Sequence, residues 1–165
     1  MYKVTEKLFI GSDADCNYTL EISEQPEFKW ATIHACKTCH KKALGYQGNM
    51  DKNSGLYLVF EKLDNLFLNI VDMQQPLLAH YALPIFTAAL DFIERKIPQC
   101  DILIHCNKGL SRAPTIALLY LAKRLKTISN KSFNEAKQEF LKIIPSYEPC
   151  IGSEIFLTNH WEEIV

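Results

Sequence analysis

DILIHCNKGLSRAPT, residues 101–115, is the stretch that decides the fold of this chain. Its first four residues, Asp101 to Ile104, carry a short apolar run, which predicts a buried strand ending at His105 and Cys106. Five residues follow as a short polar loop with one glycine. A long apolar pattern then begins at Arg112 and predicts a helix. The stretch therefore predicts a strand, a tight loop and a helix, with a cysteine where the loop starts and an arginine where it ends.

The predicted loop has the properties of a phosphate-binding bowl. Its successive backbone N–H groups can point into one small space, and the helix N-terminus adds the positive end of its macrodipole. Gly109 permits the positive φ that a closed loop needs. Arg112 can reach back and hold two phosphate oxygens with its planar guanidinium. The same field favours the thiolate form of Cys106, which would then be a nucleophile aimed at phosphorus.

These residues resemble a known signature. His105 and Cys106, then five residues, then Arg112 match the signature of cysteine-based protein phosphatases, and SRAP at 111–114 looks like their dual-specificity branch. The resemblance implies hydrolysis of phosphate monoesters through a phosphocysteine intermediate, on phosphotyrosine and on phosphoserine or phosphothreonine proteins. It also implies that the Ser111 hydroxyl donates to the cysteine sulfur. His105 is expected to orient the loop from below. The predicted phosphate-binding residues are Asn107, Lys108, Gly109, Leu110, Ser111 and Arg112.

Phosphoryl transfer to a cysteine also needs an acid that protonates the leaving oxygen and can later activate water. The acidic candidates upstream of the loop are Glu61, Asp64, Asp72 and Asp91. Asp91 lies on a predicted helix, and Glu61 and Asp64 lie in a hairpin-like turn. Asp72 directly follows a buried-looking strand, at the end where ligands of sheets usually lie, and the family resemblance implies an acid in such a loop. We predict that Asp72 is the general acid; the alternative is a loop aspartate that caps the next helix.

The rest of the chain predicts an α/β fold with a central mixed sheet flanked by helices, as the resemblance to protein tyrosine phosphatases also implies. Strands are predicted at 7–10, 30–34, 56–60, 66–71 and 101–104. Helices are predicted at 83–97, with Pro84 in the first turn, at 112–125, at 132–144 after a capping box of Ser132 and Glu135, and after a cap at Ser153. Residues 36–55 are predicted to be a long loop with at most one helical turn.

Length and composition indicate one domain over residues 1–165. The 48% of hydrophobic residues and 22% of charged residues are ordinary for a soluble globular protein. A net charge of −1 suggests neither nucleic-acid nor membrane affinity. The N-terminus has no signal-peptide pattern, which favours a cytoplasmic protein, and the six scattered cysteines favour thiols over a disulfide framework. The expected partners are a phosphorylated protein substrate and a phosphate or sulfate anion in the loop.

A second cysteine motif, CKTCH at 36–40, has the form of a c-type haem attachment site. With His34 it places four possible zinc ligands within seven residues. Haem attachment belongs outside the cytoplasm, and no second Cys/His pair follows at the usual finger spacing. We therefore predict no metal and no cofactor, and interpret 36–40 as a loop with unmodified thiols; zinc stays open as the alternative.

Three rival functions are compatible with the loop. A phosphatase of a phosphoinositide or an RNA 5′ phosphate would use the same chemistry, although a strongly basic loop with two lysines would favour phosphoinositides and only Lys108 is present. A phosphate-binding module without catalysis is disfavoured by the intact Cys106, Arg112 and Asp72. A sulfur-transfer enzyme of the rhodanese type also uses a loop cysteine, but His105 and the SRAP sequence favour a phosphatase.

Overall fold

A computed structural model describes residues 1–16 and 29–165. The strands are β1 (Tyr2–Lys3), β2 (Leu8–Gly11), β3 (Trp30–His34), β4 (Val59–Lys62), β5 (Asn65–Leu68) and β6 (Asp101–His105). The α-helices are α1 (Lys37–Leu44), α2 (Ala79–Lys96), α3 (Arg112–Leu119), α4 (Phe133–Ile143) and α5 (Ile151–Asn159). A π-helical segment, Tyr120–Leu125, continues α3, and a 3₁₀ turn, Trp161–Glu163, follows α5.

Within the described ranges the strands form one mixed sheet in the order β1-β2-β6-β3-β5-β4. The four inner strands are parallel, and the two edge strands, β1 and β4, are antiparallel to their neighbours. The predicted α/β fold with a central mixed sheet and flanking helices is confirmed. Because β6 pairs with β2 on one side and β3 on the other, the phosphate loop leaves the middle of the sheet, at the edge where the parallel strands end.

The core explains why the stretch at 101–115 is so apolar. Ile102, Leu103 and Ile104 of β6 are fully buried, and α3 packs against β6 and β2. All residues of α3 are buried, as the apolar pattern predicted. Successive strand residues face opposite sides of the sheet, so Ile104 and His105 project to different faces.

Residues 36–55 were wrongly predicted as a loop, because they contain helix α1, Lys37–Leu44. The helix ends at Gly45, whose φ of 71° is the left-handed conformation that terminates helices. The many lysines and glycines of this stretch are typical of a loop, but the lysines, alanine and leucine inside α1 are all good helix formers. Gly45 thus ends a helix, although the sequence predicted that it lies within a loop.

Three smaller boundaries also differ. Helix α2 begins at Ala79, so Pro84 lies inside the helix and not in its first turn. Glu61 belongs to strand β4, and the hairpin turns at Leu63, which has a φ of 56°. Ser153 does not cap α5, which begins at Ile151; its side chain is buried with Oγ 3.1 Å from the Sγ of Cys150.

The predicted cap at Ser132 is confirmed, because its side chain accepts a hydrogen bond from the Glu135 backbone N–H at the start of α4. In the part of the chain that the structure describes, no helix is both long and apolar enough to cross a membrane.

Candidate active site

The loop 106–111 joins β6 to α3 and is tied at its start to the end of β2. The backbone N–H of Cys106 donates to the Gly11 carbonyl at 3.3 Å, and Asp13 N–H donates to the Asn107 carbonyl at 3.4 Å. Cys106 is only 2% exposed, at the floor of the loop. These bonds hold the cysteine where the central strand ends.

The backbone N–H groups of the loop are available for an anion. Among the hydrogen bonds within residues 1–16 and 29–165, none has a backbone N–H of residues 107–111 as its donor. The carbonyls of the same loop do accept, Leu110 from Glu148 N–H and Ser111 from Thr115 N–H, each at 2.9 Å. Backbone N–H groups are nearly always paired in folded proteins, so a consecutive unpaired run beside a helix N-terminus is suited to bind an anion.

Gly109 is the residue that lets the loop close. Its φ is 75°, which side-chain-bearing residues rarely adopt. A Cβ atom at this position would lie 2.9 Å from the Gly11 carbonyl oxygen and 3.0 Å from its carbon. Both the conformation and the close approach of two backbones therefore require glycine here.

Arg112 is held in one orientation by four hydrogen-bond acceptors. Its Nη1 donates to the carbonyls of Ala35 at 3.1 Å and Ile70 at 3.4 Å, just beyond the ends of β3 and β5. Its Nη2 donates to Asn107 Oδ1 at 2.8 Å, and its Nε to Asp72 Oδ2 at 2.8 Å. The side chain is 9% exposed. The sheet thus fixes the plane of the guanidinium, while Nε and Nη2 face side chains that can move.

Asp72 lies in the same pocket as the loop, as predicted for the general acid. Its carboxylate accepts from the Ser111 hydroxyl at 2.7 Å and from Arg112 Nε at 2.8 Å. It does not cap the next helix, since the N-cap of α2 is Leu78 and no side chain caps that helix.

The other acidic candidates are engaged elsewhere. Glu61 pairs with Arg95 and Asp64 with Lys96, both at 2.7 Å, at the C-terminal end of α2. Asp91 pairs with Arg124 at 2.6 Å. Among the four candidates, Asp72 is the one that lines the pocket above the loop.

Two comparisons with known proteins bear on the family, whereas no family model matches the chain. Human dual specificity protein phosphatase 9 is 32% identical over 63 residues, which are 38% of this chain and 16% of that protein. Human dual specificity protein phosphatase 6 is 30% identical over 96 residues, which are 54% of this chain and 25% of that protein. The matched part thus spans a quarter of these curated relatives or less.

Solved structures of the same fold match nearly the whole chain. DUSP15 superposes with a TM-score of 0.62 and 17% identity, over 98% of this chain and 86% of that one. PTPMT1 in complex with PI(5)P gives 0.60 and 17%, over 99% and 95%. The chain therefore has the fold of these phosphatase structures, and part of it is similar in sequence to dual-specificity protein phosphatases.

The Ser111 hydroxyl has a partner other than the predicted one. It donates its proton to Asp72, and its oxygen accepts from Cys150 N–H at 3.0 Å. A hydroxyl has a single proton, so donation to the Cys106 sulfur requires rotation away from Asp72. The predicted role of Ser111 in releasing the thiolate stays a prediction.

Sequence analysis missed the part that the start of α5 plays in this pocket. The pocket, about 450 Å³ in volume, is lined by Glu148, Pro149, Cys150 and Ile151 as well as by the loop and Asp72. Gly152 N–H donates to the Met73 carbonyl at 2.9 Å, and Leu77 N–H donates to the Gly152 carbonyl at 3.3 Å. A Cβ atom at Gly152 would lie 2.1 Å from the Gln75 carbonyl oxygen. The one sequence signal was a glycine directly before the predicted helix cap at Ser153.

His105 lies on the side of the loop opposite to the pocket. Its backbone carbonyl accepts from Ala35 N–H at 2.8 Å, and its ring is fully buried with Nε2 2.8 Å from His34 Nδ1. Burial lowers the pKa of both imidazoles, that of His34 to about 4. The orienting role of His105 stays a prediction, and its partner histidine was not foreseen.

Proposed function

We propose that this chain hydrolyses phosphate monoesters through a phosphocysteine intermediate on Cys106, and that residues 1–165 act as one catalytic domain. The arrangement that carries the proposal is the Cys106 thiol at the floor of a loop whose N–H groups are unpaired within the described chain and whose mouth holds Arg112 and Asp72. A thiolate beneath a bound phosphate has the position of a nucleophile, and the donors around it match charge that develops on the phosphoryl oxygens.

The reaction then has two steps. In the first, the Cys106 thiolate attacks phosphorus, the S–P bond forms, the P–O bond to the leaving group breaks, and Asp72 gives its proton to the leaving oxygen. In the second, water attacks phosphorus, Asp72 takes a proton from that water, and the S–P bond breaks to release inorganic phosphate and the thiolate. The loop and Arg112 supply the positive charge in both steps, so no metal is needed for the chemistry.

The contacts of Arg112 suggest how the substrate reaches its binding position. A phosphate dianion would offer its own oxygens to Nε and Nη2, in competition with Asp72 and Asn107. Nη1 keeps its bonds to backbone carbonyls, so the guanidinium does not lose its orientation. Displacement from Nε would free the Asp72 carboxyl to turn to the leaving oxygen.

We propose phosphorylated proteins as the substrates. The charged residues that line the pocket are Asp72, Lys108, Arg112 and Glu148, two acidic and two basic. This balance suits a single phosphate on a polypeptide better than a headgroup with several phosphates, which would need a basic rim. No disulfide joins any of the six cysteines, all of which the structure describes, and this supports the proposed cytoplasmic location.

Turnover of a chromogenic aryl phosphate, followed by a panel of phosphotyrosine and phosphoserine or phosphothreonine peptides and phosphoinositides, tests the proposal. We expect wild-type turnover and mass-spectrometric detection of a phosphate on Cys106 after rapid acid quenching. Cys106→Ser should lower turnover by at least about 10⁴-fold and still bind vanadate or tungstate, because the N–H groups and Arg112 remain. Substantial activity in that variant refutes the nucleophile, whereas exclusive turnover of phosphoinositides refutes the substrate class alone.

A further inference from the structure

Five potential metal ligands meet behind the phosphate loop, on the His105 side of the sheet. We call them the histidine–cysteine cluster, and its members are Cys16, His34, Cys36, Cys39 and His105. They come from four parts of the fold: the segment after β2, the end of β3, the start of α1 and the end of β6. Two groups of three, which share His105, each have their ligand atoms within 4.8 Å of one another.

The neighbours of the two histidines favour a proton on the outer nitrogen of each ring. His34 Nε2 lies 2.9 Å from Asn65 Oδ1, and an amide oxygen only accepts, so that nitrogen is the protonated one. His105 Nδ1 lies 3.4 Å from the Asp13 carboxylate, which favours the proton there. Carboxylates and carbonyl oxygens hold metal-binding histidines in this way, by fixing the tautomer from the outer side.

With these tautomers the two remaining ring nitrogens face each other. His34 Nδ1 and His105 Nε2 lie 2.8 Å apart. Two nitrogens at this distance need a positive group between them, either a proton carried by one of the rings or a metal cation bound by both lone pairs. The side chains around the pair distinguish the two possibilities, because a shared proton needs no thiols nearby.

Two cysteines complete a ring around this position. Cys16 Sγ lies 3.6 Å from His34 Nδ1, Cys39 Sγ lies 3.9 Å from His105 Nε2, and the two thiols hydrogen-bond to each other. A tetrahedral zinc ion with Zn–S of about 2.3 Å and Zn–N of about 2.1 Å separates a sulfur and a nitrogen ligand by about 3.6 Å. The Cys16–His34 contact matches this separation, the Cys39–His105 contact is about 0.3 Å longer, and the N–N contact needs to open by about 0.6 Å to reach the separation of such a site. His34 and Cys39 belong to different groups of three, so a shared ion would also draw their ligand atoms together.

We propose that Cys16, His34, Cys39 and His105 bind one structural zinc ion. The thiol of Cys36 hydrogen-bonds to Cys39 and acts as an outer donor to that ligand, not as a ligand itself. With four protein ligands the site is closed, so the ion stabilises the fold and takes no part in chemistry. It would tie β3 and α1 to the residue that precedes the catalytic cysteine. The proposal does not depend on the proposed phosphatase activity.

The fold brings to the CKTCH motif the additional metal ligands that its sequence spacing lacked. The sequence offers no second Cys/His pair at finger spacing, yet Cys16 and His105 reach the cluster from distant positions. The histidine of the motif, His40, does not belong to it, because its ring contacts the Tyr46 hydroxyl at 3.1 Å and the Leu56 carbonyl at 2.9 Å. A pocket of about 510 Å³, lined by four of the five cluster residues, gives the ion a path from solvent.

The first experiment measures zinc in the full chain, purified without a metal-binding tag and dialysed against a weak chelator. We expect about one zinc ion per wild-type chain and a loss to background in Cys16→Ser and Cys39→Ser. Cys100→Ser is the matched control, since Cys100 is buried at the far end of β6, and it should retain the ion. Cys36→Ser should retain it as well. Loss of zinc from Cys36→Ser with retention in Cys16→Ser would overturn the ligand set.

A second experiment keeps the proposal testable if the variants fail to fold, because it uses the wild-type chain alone. Replacement of the ion by Co²⁺ should give the visible bands of a tetrahedral complex and a near-ultraviolet thiolate charge-transfer band. Removal by a strong chelator should lower Tm by roughly 5–15 °C, and zinc but not magnesium should restore it. A chain that takes up neither zinc nor cobalt, or that purifies with a Cys36–Cys39 disulfide, would overturn the proposal.

Discussion

Arg112 has every guanidinium nitrogen bonded before a phosphate arrives, and two of its contacts are to backbone carbonyls that no rearrangement of side chains can remove. This arrangement makes the arginine a rigid fork whose Nε and Nη2 point to the pocket. Lysine at this position would place one compact charge near the loop without the fork. We expect Arg112→Lys to lower kcat/KM of aryl phosphate hydrolysis by at least about 10²-fold and to weaken vanadate binding. Near-normal steady-state kinetics in this variant would contradict the role of Arg112 as the phosphate clamp.

Asp72→Asn tests the proposed general acid separately from the proposed nucleophile. Asparagine keeps the shape and still accepts from Arg112 Nε, but it has no proton to give to a leaving oxygen. The loss should be roughly 10²–10⁴-fold for alkyl and ordinary aryl phosphates and small for a phenol that leaves without protonation. A series of aryl phosphates with leaving phenols of graded acidity measures this dependence. A uniform loss across the series would instead indicate that Asp72 holds Arg112 in place.

At this scale the sequence predicted which residues share the pocket better than it predicted their contacts. Cys106, Arg112 and Asp72 could be chosen because motif spacing and the end of a strand bring certain residue types to one edge of a sheet. The bond between Ser111 and Asp72, and the pair formed by His105 and His34, depend on side chains that meet only after the sheet has formed. The spacing of residues along the chain does not predict such contacts.

Two loop segments, the phosphate loop and the segment that carries Asp72, are shaped by glycines with no space for a side chain. For the phosphate loop, Gly109→Ala should strain the backbone and press on Gly11. Gly48→Ala is the matched control, since Gly48 has a similar φ of 73° but no neighbour within 4 Å. Each change should cost roughly 1–2 kcal/mol of unfolding free energy from the left-handed conformation, measured by denaturant titration. Only Gly109→Ala should also lower aryl phosphate turnover; equal activity in both variants would show that the close approach is unimportant.

The segment 72–77 packs on the first turn of α5 through Gly152, whose absent side chain permits contact with the Met73 and Gln75 carbonyls. Gly152→Ala should push this segment outward and move Asp72 without changing any functional group. We expect the kinetic pattern of Asp72→Asn, a larger loss for poor leaving groups, with anion binding by the loop largely preserved. The series of aryl phosphates measures the first effect and vanadate affinity the second. If turnover of poor leaving groups and vanadate affinity fall together, the contact with α5 supports the whole pocket and not only the position of Asp72.

Helices and strands with a long apolar run could be predicted from the sequence. A short helix without an apolar face and the first residue of a helix could not. Strand β6 and helix α3 carry long apolar runs, and Ser132 caps α4 as its side chain allows. Helix α1 was missed because it buries one residue only, His40, and so lacks an apolar stripe. The start of α2 was misplaced because Pro84 is a typical first-turn residue, whereas burial of the residues around it keeps the helix continuous on both sides.

The whole molecule places two sites back to back around the end of β6. Cys106 opens to the pocket on one side, and His105, one residue earlier, projects to the histidine–cysteine cluster on the other. Both sites share the end of β6. Loss of the proposed zinc ion should therefore disturb the phosphate loop through the backbone of His105, whose carbonyl accepts a hydrogen bond from Ala35 N–H. The proposed chemistry needs no metal, so stability and catalysis should respond differently to chelation.

Chelation at low temperature should therefore leave turnover of an aryl phosphate within about two-fold of the untreated enzyme, because the loop, Arg112 and Asp72 supply the catalytic charges. On heating, activity should fall earlier in the chelated sample, in step with its lower Tm, since an ion that binds only the folded state stabilises that state. Parallel activity and circular dichroism measurements across temperature test this, with zinc re-addition as the control. Immediate loss of activity at low temperature, with folding intact, would instead assign the ion a direct part in shaping the phosphate loop.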